Sequence, residues 1–191
     1  MNDDVTYTAF VGTRCLVSGG LREVLLRTKA LLDEGSDEVV LLFDDRTGRQ
    51  VDFNFQGTPE EVVARATPAA PRTGPGRPKL GVVSREVSLL PRHWAWLEQQ
   101  PQGISAALRR LVEEASKRDP GKEQARLARE AASQFLTTMA GNLPGYEEAT
   151  RALFAEDAGR FAEQIRAWPE DVREHAARLA KPSFRQDEAA P

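Results

Sequence analysis

Gly76-Arg77-Pro78-Lys79, followed by Val83-Ser84-Arg85-Glu86-Val87-Ser88-Leu89-Leu90-Pro91, is a basic, Pro/Gly-rich arm that runs into an alternating strand and then into a helix opened by Pro91. Side chains alternate across a strand, so Val83, Val87 and Leu89 share one face. Ser84, Glu86 and Ser88 take the other face, and Arg85 falls with the valines unless a bend turns it outward. Proline suits the first helical position because its fixed φ is already helical and its missing N–H would be unpaired there. A lone strand is not stable in water. The segment therefore needs a partner, either a second copy of the chain or a sheet within the same chain.

Upstream of the arm, Val5 to Val11 reads as a β-branched and aromatic strand, Gly12-Thr13 as a tight turn and Arg14 to Val17 as a return strand. Leu21, Val24, Leu25, Thr28, Leu31 and Leu32 recur at helical spacing as far as Gly35. Glu38 to Phe43 is a nearly continuous apolar strand. Asp44 to Gly48 is a hairpin turn, and Val51, Phe53 and Phe55 alternate on the way out. Thr58 caps a helix that starts at Pro59, with Glu60 and Glu61 in its first turn. The order ββαββα defines a small α+β domain over 1–66.

Residues 67–81 hold four prolines and three glycines, so they form a flexible basic linker. Residues 82–118 comprise the strand, a short helix carrying Trp94 and Leu97, a turn at Pro101-Gln102-Gly103, and a helix with Leu108, Leu111, Val112 and Ala115 on one face. Asp119-Pro120-Gly121 breaks the chain. The helical region 119–181 follows: Leu127, Ala131, Phe135, Leu136 and Met139 form one apolar stripe, Leu153, Phe154, Phe161, Ile165 and Trp168 continue the burial, and a last helix from Pro169 carries Val172, Ala176 and Leu179, while 182–191 reads as a disordered tail.

Charge is distributed unevenly. The chain carries a net -3, which is not that of a generally basic nucleic-acid binder. Across 67–92, however, Arg72, Arg77, Lys79, Arg85 and Arg92 stand against Glu86 alone. Clustered cations of this kind are what phosphate contact requires, and they equally serve to keep a linker solvated.

Residues 82–116 resemble the ribbon-helix-helix module of bacterial repressors and antitoxins. Arg85 to Leu97 correspond to its strand and first helix, and Gly103 to Val112 to its turn and second helix. The resemblance implies a homodimer whose paired strands enter the major groove of DNA. Val83, Val87 and Leu89 would then hold the ribbon. Arg85 and Ser88 would meet base edges, Glu86 would face cytosine, and Arg72, Arg77, Lys79 and Arg92 would meet phosphates. The serine- and glutamate-bearing face departs from the Arg, Lys, Gln, Asn or Thr usual in that fold. Gly76-Arg77-Pro78-Lys79 is also similar to the core of an AT-hook, with Pro75 where the usual arginine stands. The runs 76–81, 85–87 and 89–94 further resemble the shared segment of a bacterial family of unknown function, which implies no activity, substrate or cofactor.

Catalysis and metal binding find little footing. His93 sits in a first helical turn with no Cys, Ser or ligand partner near it in sequence. Cys15, the lone cysteine, permits no intrachain disulfide, and on a strand it reads as buried and inert. Two distant histidines offer no metal-ligand spacing. Asp44-Asp45 lacks the remaining positions of a calcium loop, and Gly19-Gly20 lacks the lysine of a phosphate loop. No run is long enough to span a bilayer, and the acidic start is not that of a signal peptide. The expectation is a cytoplasmic, non-enzymatic, cofactor-free regulator that binds DNA as a homodimer and leaves its N-terminal domain for a protein partner. A protein-interaction or assembly module is the alternative.

Overall fold

The computed structural model describes residues 5–67 and 85–184. Residues 1–4, 68–84 and 185–191 lie outside them, and with them fall nearly all of the expected linker 67–81, the start of the expected strand 82–89 and most of the expected tail. The chain divides into two compact units, one made of Met1–Pro68 with Gly121–Pro191 and the other of Ala69–Pro120.

The first unit is α+β. Its strands are β1 (Thr6–Val11), β2 (Arg14–Gly20), β3 (Val40–Asp44) and β4 (Arg49–Val51), and helix α1 (Leu21–Asp33) links β2 to β3. The sheet order is β2-β1-β3-β4, antiparallel throughout. Helix α2 (Pro59–Ala66) follows β4. It is capped as the sequence implies: Thr58 Oγ1 accepts from the Glu61 N–H, while the Glu61 carboxylate accepts from the Thr58 N–H at 2.8 Å. Strand β4 is shorter than the alternation implies. Its ladder ends at Val51, and Phe53 and Phe55 continue half-buried and unpaired.

Period two sorts β1 cleanly. Ala9 packs with Val24 and Leu42 on the α1 side, while Phe10 faces the opposite way with Phe43. After α3 (Pro91–Glu98) and α4 (Ile104–Arg118), which belong to the other unit, helices α5 (Pro120–Met139), α6 (Tyr146–Phe154), α7 (Ala158–Ile165) and α8 (Glu170–Ala180) cover that second face. Phe10, Phe43 and Phe135 form an aromatic triangle with centroids 5.1–6.0 Å apart. The helices beyond Gly121 therefore share one core with the sheet, although Leu127 and Phe154, expected in that core, stay exposed. Trp168 is buried in it, its indole N–H donating to Pro144 O at 2.7 Å.

Two local irregularities position the rest. Ala9 pairs with Val17 but Phe10 with Cys15, so Leu16 is the extra residue of a β-bulge. The bulge puts Cys15 on the helical face, whereas Leu16 and Val17 stay with the α1 side. In the β3–β4 turn, Gly48 has φ +64, and a Cβ there would lie 1.8 Å from the Ala131 carbonyl oxygen of α5. Only glycine lets the hairpin approach that helix so closely.

Among the described residues, the second unit holds 85–90, helix α3 (Pro91–Glu98) and helix α4 (Ile104–Arg118). Pro91 is the first helical residue, and Leu90, in extended conformation, precedes it as N-cap. Gly103, at φ +79, turns the chain into α4. Leu97 and Ala107 are the apolar residues this hairpin buries.

Candidate functional site

Residues 85–90 join no sheet among the described residues. Arg85, Glu86, Val87 and Ser88 are exposed, Leu89 is half-buried and Leu90 is exposed. Val87 leaves 54% of its surface open. Arg92 is exposed in the first turn of α3, beside Arg85 and Ser88 in sequence. Arg72, Arg77, Lys79 and Val83 lie outside the described residues, and the remaining expected residues, Arg85, Val87, Ser88, Leu89 and Arg92, are neighbours along the chain that no described contact draws into one site. Trp94 and Trp96 face different sides of α3, as their spacing requires; Trp94 is half-buried and Trp96 is exposed. His93 is exposed as well.

On α4 the apolar face continues past what α3 covers. Ala107 is buried and Leu108 half-buried, but Leu111 is 38% and Val112 67% exposed. Around them stand Arg109, Arg110, Glu113 and Glu114, all solvent-facing. Arg110 pairs with Glu114 at 3.3 Å and Lys117 with Glu113 at 2.7 Å along the helix. Exposed i,i+4 pairs of this kind contribute only about 0.3–0.5 kcal/mol each and exchange partners readily. The depression at the α3–α4 turn, about 480 Å³ and lined by Glu98, Gln102, Ser105 and Arg109 among others, is open to solvent and encloses no ligand-sized space.

A second cluster, in the first unit, joins residues far apart in sequence. Thr8 from β1, Ser18 from β2, Asp45 just beyond β3, and His175 and Arg178 from α8 meet where α8 crosses the sheet. Asp45 Oδ2 accepts from Thr6 Oγ1 at 2.8 Å, Thr8 Oγ1 at 3.1 Å and Arg178 Nη2 at 3.3 Å. Arg178 also donates to Ser18 Oγ at 3.2 Å and to Thr8 Oγ1 at 3.1 Å. Its Nη2 lies 2.7 Å from His175 Nδ1. A guanidinium can only donate, so Nδ1 is the acceptor and the ring proton resides on Nε2. That nitrogen faces Asp45 Oδ1 at 3.5 Å, both side chains being more than nine-tenths buried.

Burial, reinforced by the Arg178 charge, pushes the His175 pKa down to about 3, so the ring is neutral at neutral pH. The ring also packs against Phe135 and Phe10, with centroids at 4.4 and 5.4 Å. Nδ1 is held by Arg178, whereas Nε2 and Asp45 Oδ1 face each other in the interior without a hydrogen bond, and the Ser18 and Thr8 hydroxyls contact Asp45 and Arg178 rather than the ring. The cluster fastens α8 to the sheet and leaves no nitrogen to take a proton from a nucleophile. Cys15 lies beside the same contact: its N–H donates to Asp171 Oδ2 at 2.6 Å. Burial, then the Asp171 carboxylate, raises its thiol pKa, which keeps it in the unreactive thiol form.

Sequence reasoning passed over this cluster because its members come from four elements. The available signal was His175 itself, on the α8 stripe of Val172, Ala176 and Leu179, where an imidazole must find polar partners. Among the described residues no group of three or more His, Cys, Asp or Glu side chains is placed to hold a metal, and no helix is long and apolar enough to cross a membrane.

Residues 6–180 match the family described as an uncharacterized protein conserved in bacteria (DUF2239), and the chain belongs to that family. No curated protein and no solved structure matches the chain.

Proposed function

We propose that this member of an uncharacterized bacterial family is a DNA-binding transcriptional regulator, acting as a homodimer through its central strand and basic arm. One observation supports the reading: residues 85–90 are largely exposed and join no sheet among the described residues, directly ahead of two helices whose apolar face is incompletely covered. Residues 85–90 form no strand within the chain, so the ribbon of this reading would arise only on pairing with a second copy, and a twofold pairing of 83–89 would double every cation near it. Arg85 and Ser88 then meet base edges, while Arg72, Arg77, Lys79 and Arg92 meet phosphates. A reading of this type does not need an active site, and the buried cluster at His175 acts as a fastening.

The test is a titration of random duplex DNA across salt concentrations, with the mass in solution measured in parallel. The expected result is a dimer that shifts DNA at low salt, with a log–log slope on the order of -0.9 per phosphate contacted. An intact dimer that shifts no DNA at low salt overturns the reading. A non-enzymatic assembly module is the second reading. It is favoured by the exposed Glu86, which repels phosphate, and by the exposed Trp96 and Val112, which suit an apolar protein interface. It predicts association that salt leaves unchanged.

A further inference from the structure

We infer that the outward face of helix α3 is a stacking platform for an unpaired nucleotide, and that the chain takes single-stranded DNA on it. The inference rests on the DNA reading proposed above and names the form of DNA that this face suits. Residues 92, 95, 96 and 99 stand at i, i+3, i+4 and i+7, so Arg92, Ala95, Trp96 and Gln99 share one side of the helix. All four are exposed. The opposite side holds Leu97, which is buried, and Trp94, which is half-buried. Trp96 therefore turns away from the side on which the hairpin packs, with 46% of its surface open.

An indole held outward offers a flat face on which any base can stack. Ala95, beside it, is too small to cover that face. Arg92 lies one turn before it, about 5–6 Å away at Cβ, so its guanidinium can reach the phosphate that adjoins a base stacked on the ring. It occupies the first turn of α3, where the helix dipole disfavours a cation, and no acidic residue stands in that turn to offset it. Gln99, one turn beyond Trp96 from Arg92, presents an amide that can bond a base edge.

Charge selects the occupant. Residues 69–120 hold nine basic and five acidic side chains in a chain of net -3, so this unit carries +4 and the rest of the chain -7. A polyanion is drawn to the unit that bears Trp96 and repelled by the remainder. Bases inside a duplex are already stacked on both sides and cannot lie on the ring, whereas an unpaired base can.

The test uses the full-length chain at low salt and two labelled DNAs, read by fluorescence anisotropy: an oligothymidylate, which does not pair with itself, and a hairpin duplex. The native chain should bind the single strand more tightly. Trp96→Ala should weaken that binding by ~5- to 150-fold, the worth of one base–aromatic stack, and leave duplex binding unchanged. Trp96→Phe, which keeps a ring, should recover most of the loss. Arg92→Gln should lower the log–log salt slope on the single strand by about 0.7. Circular dichroism on each variant reports whether α3 persists.

If the single strand is bound no better than the duplex, or Trp96→Ala leaves its affinity unchanged, the platform is wrong while the regulator reading stands on its duplex binding. If neither DNA is bound, both fall. Trp96-dependent binding of the single strand with no duplex shift keeps the platform and removes the ribbon. A Trp96→Ala chain that binds DNA normally but loses mass in solution marks this face as a protein contact and overturns the platform.

Discussion

Gly48→Ala is the most exacting test of how the hairpin meets the helical layer. Gly48 closes the β3–β4 turn, its N–H donating to Asp44 O at 2.7 Å. At φ +64 its backbone is left-handed, and a methyl group at the Cβ position would lie 1.8 Å from Ala131 O and 2.6 Å from the Ala131 carbonyl carbon. Two penalties follow. The left-handed conformation costs a non-glycine residue about 1–2 kcal/mol, offset by about 0.4–1 kcal/mol because alanine restricts the unfolded chain. The overlap is with backbone, which cannot rotate away, so the hairpin must retreat from α5 by more than an ångström. Overpacking of this kind costs about 1–3 kcal/mol, for a total of about 2–4 kcal/mol.

Gly12→Ala supplies the control. Gly12 has φ +59 but nothing within 4 Å of its Cβ position, so it pays only the conformational part, about 1 kcal/mol. Urea unfolding followed by far-UV circular dichroism gives both values. A Gly48→Ala cost within about 0.5 kcal/mol of the Gly12→Ala cost, a gap no larger than the scatter between independent sites, refutes the close approach of turn and helix.

Three further outcomes follow from the same packing. His175 has its pKa depressed in the folded chain, to about 3, so the stability it contributes is fully present above the unfolded value near 6.5 and is lost as pH falls from there toward 3. Between about pH 7 and about pH 4.5 that loss amounts to about 2–3 kcal/mol, and His175→Gln should flatten the decline in unfolding free energy; an unchanged slope would place the acid sensitivity elsewhere. Phe135→Ala removes one corner of the aromatic triangle and should cost about 3–5 kcal/mol in the same unfolding assay. Thr58→Ala removes the cap of α2 and should cost about 1 kcal/mol, a small local loss that amide exchange in 59–66 would detect.

Much of the architecture was legible in the sequence because local rules decided it. The alternation in β1, the Thr58–Glu61 capping box, Pro91 at a helix start and the break at Asp119-Pro120 each follow from neighbours in the chain. The short β4 was not legible: Phe53 and Phe55 alternate as a strand should, but pairing depends on where β3 lies opposite them. The bulge at Leu16 was also hidden, since it is defined by register with β1 and not by composition. The Thr8–Ser18–Asp45–His175–Arg178 cluster escaped for the same reason, each member reading as unremarkable until tertiary contact joins them. On α4 the apolar spacing was visible early, and what the structure adds is that Leu111 and Val112 stay uncovered.

The division of the chain has a bearing on its biosynthesis. Phe10 and Phe43 are covered by side chains such as Phe135 and Val172, which the ribosome delivers about a hundred residues later. At roughly 5–20 residues per second, the nascent sheet waits several seconds with one greasy face bare while the interposed 69–120 stretch emerges. Fragments that stop after α2 should accordingly precipitate or be captured by chaperones, and any expression strategy for the N-terminal half must carry the C-terminal helices along with it.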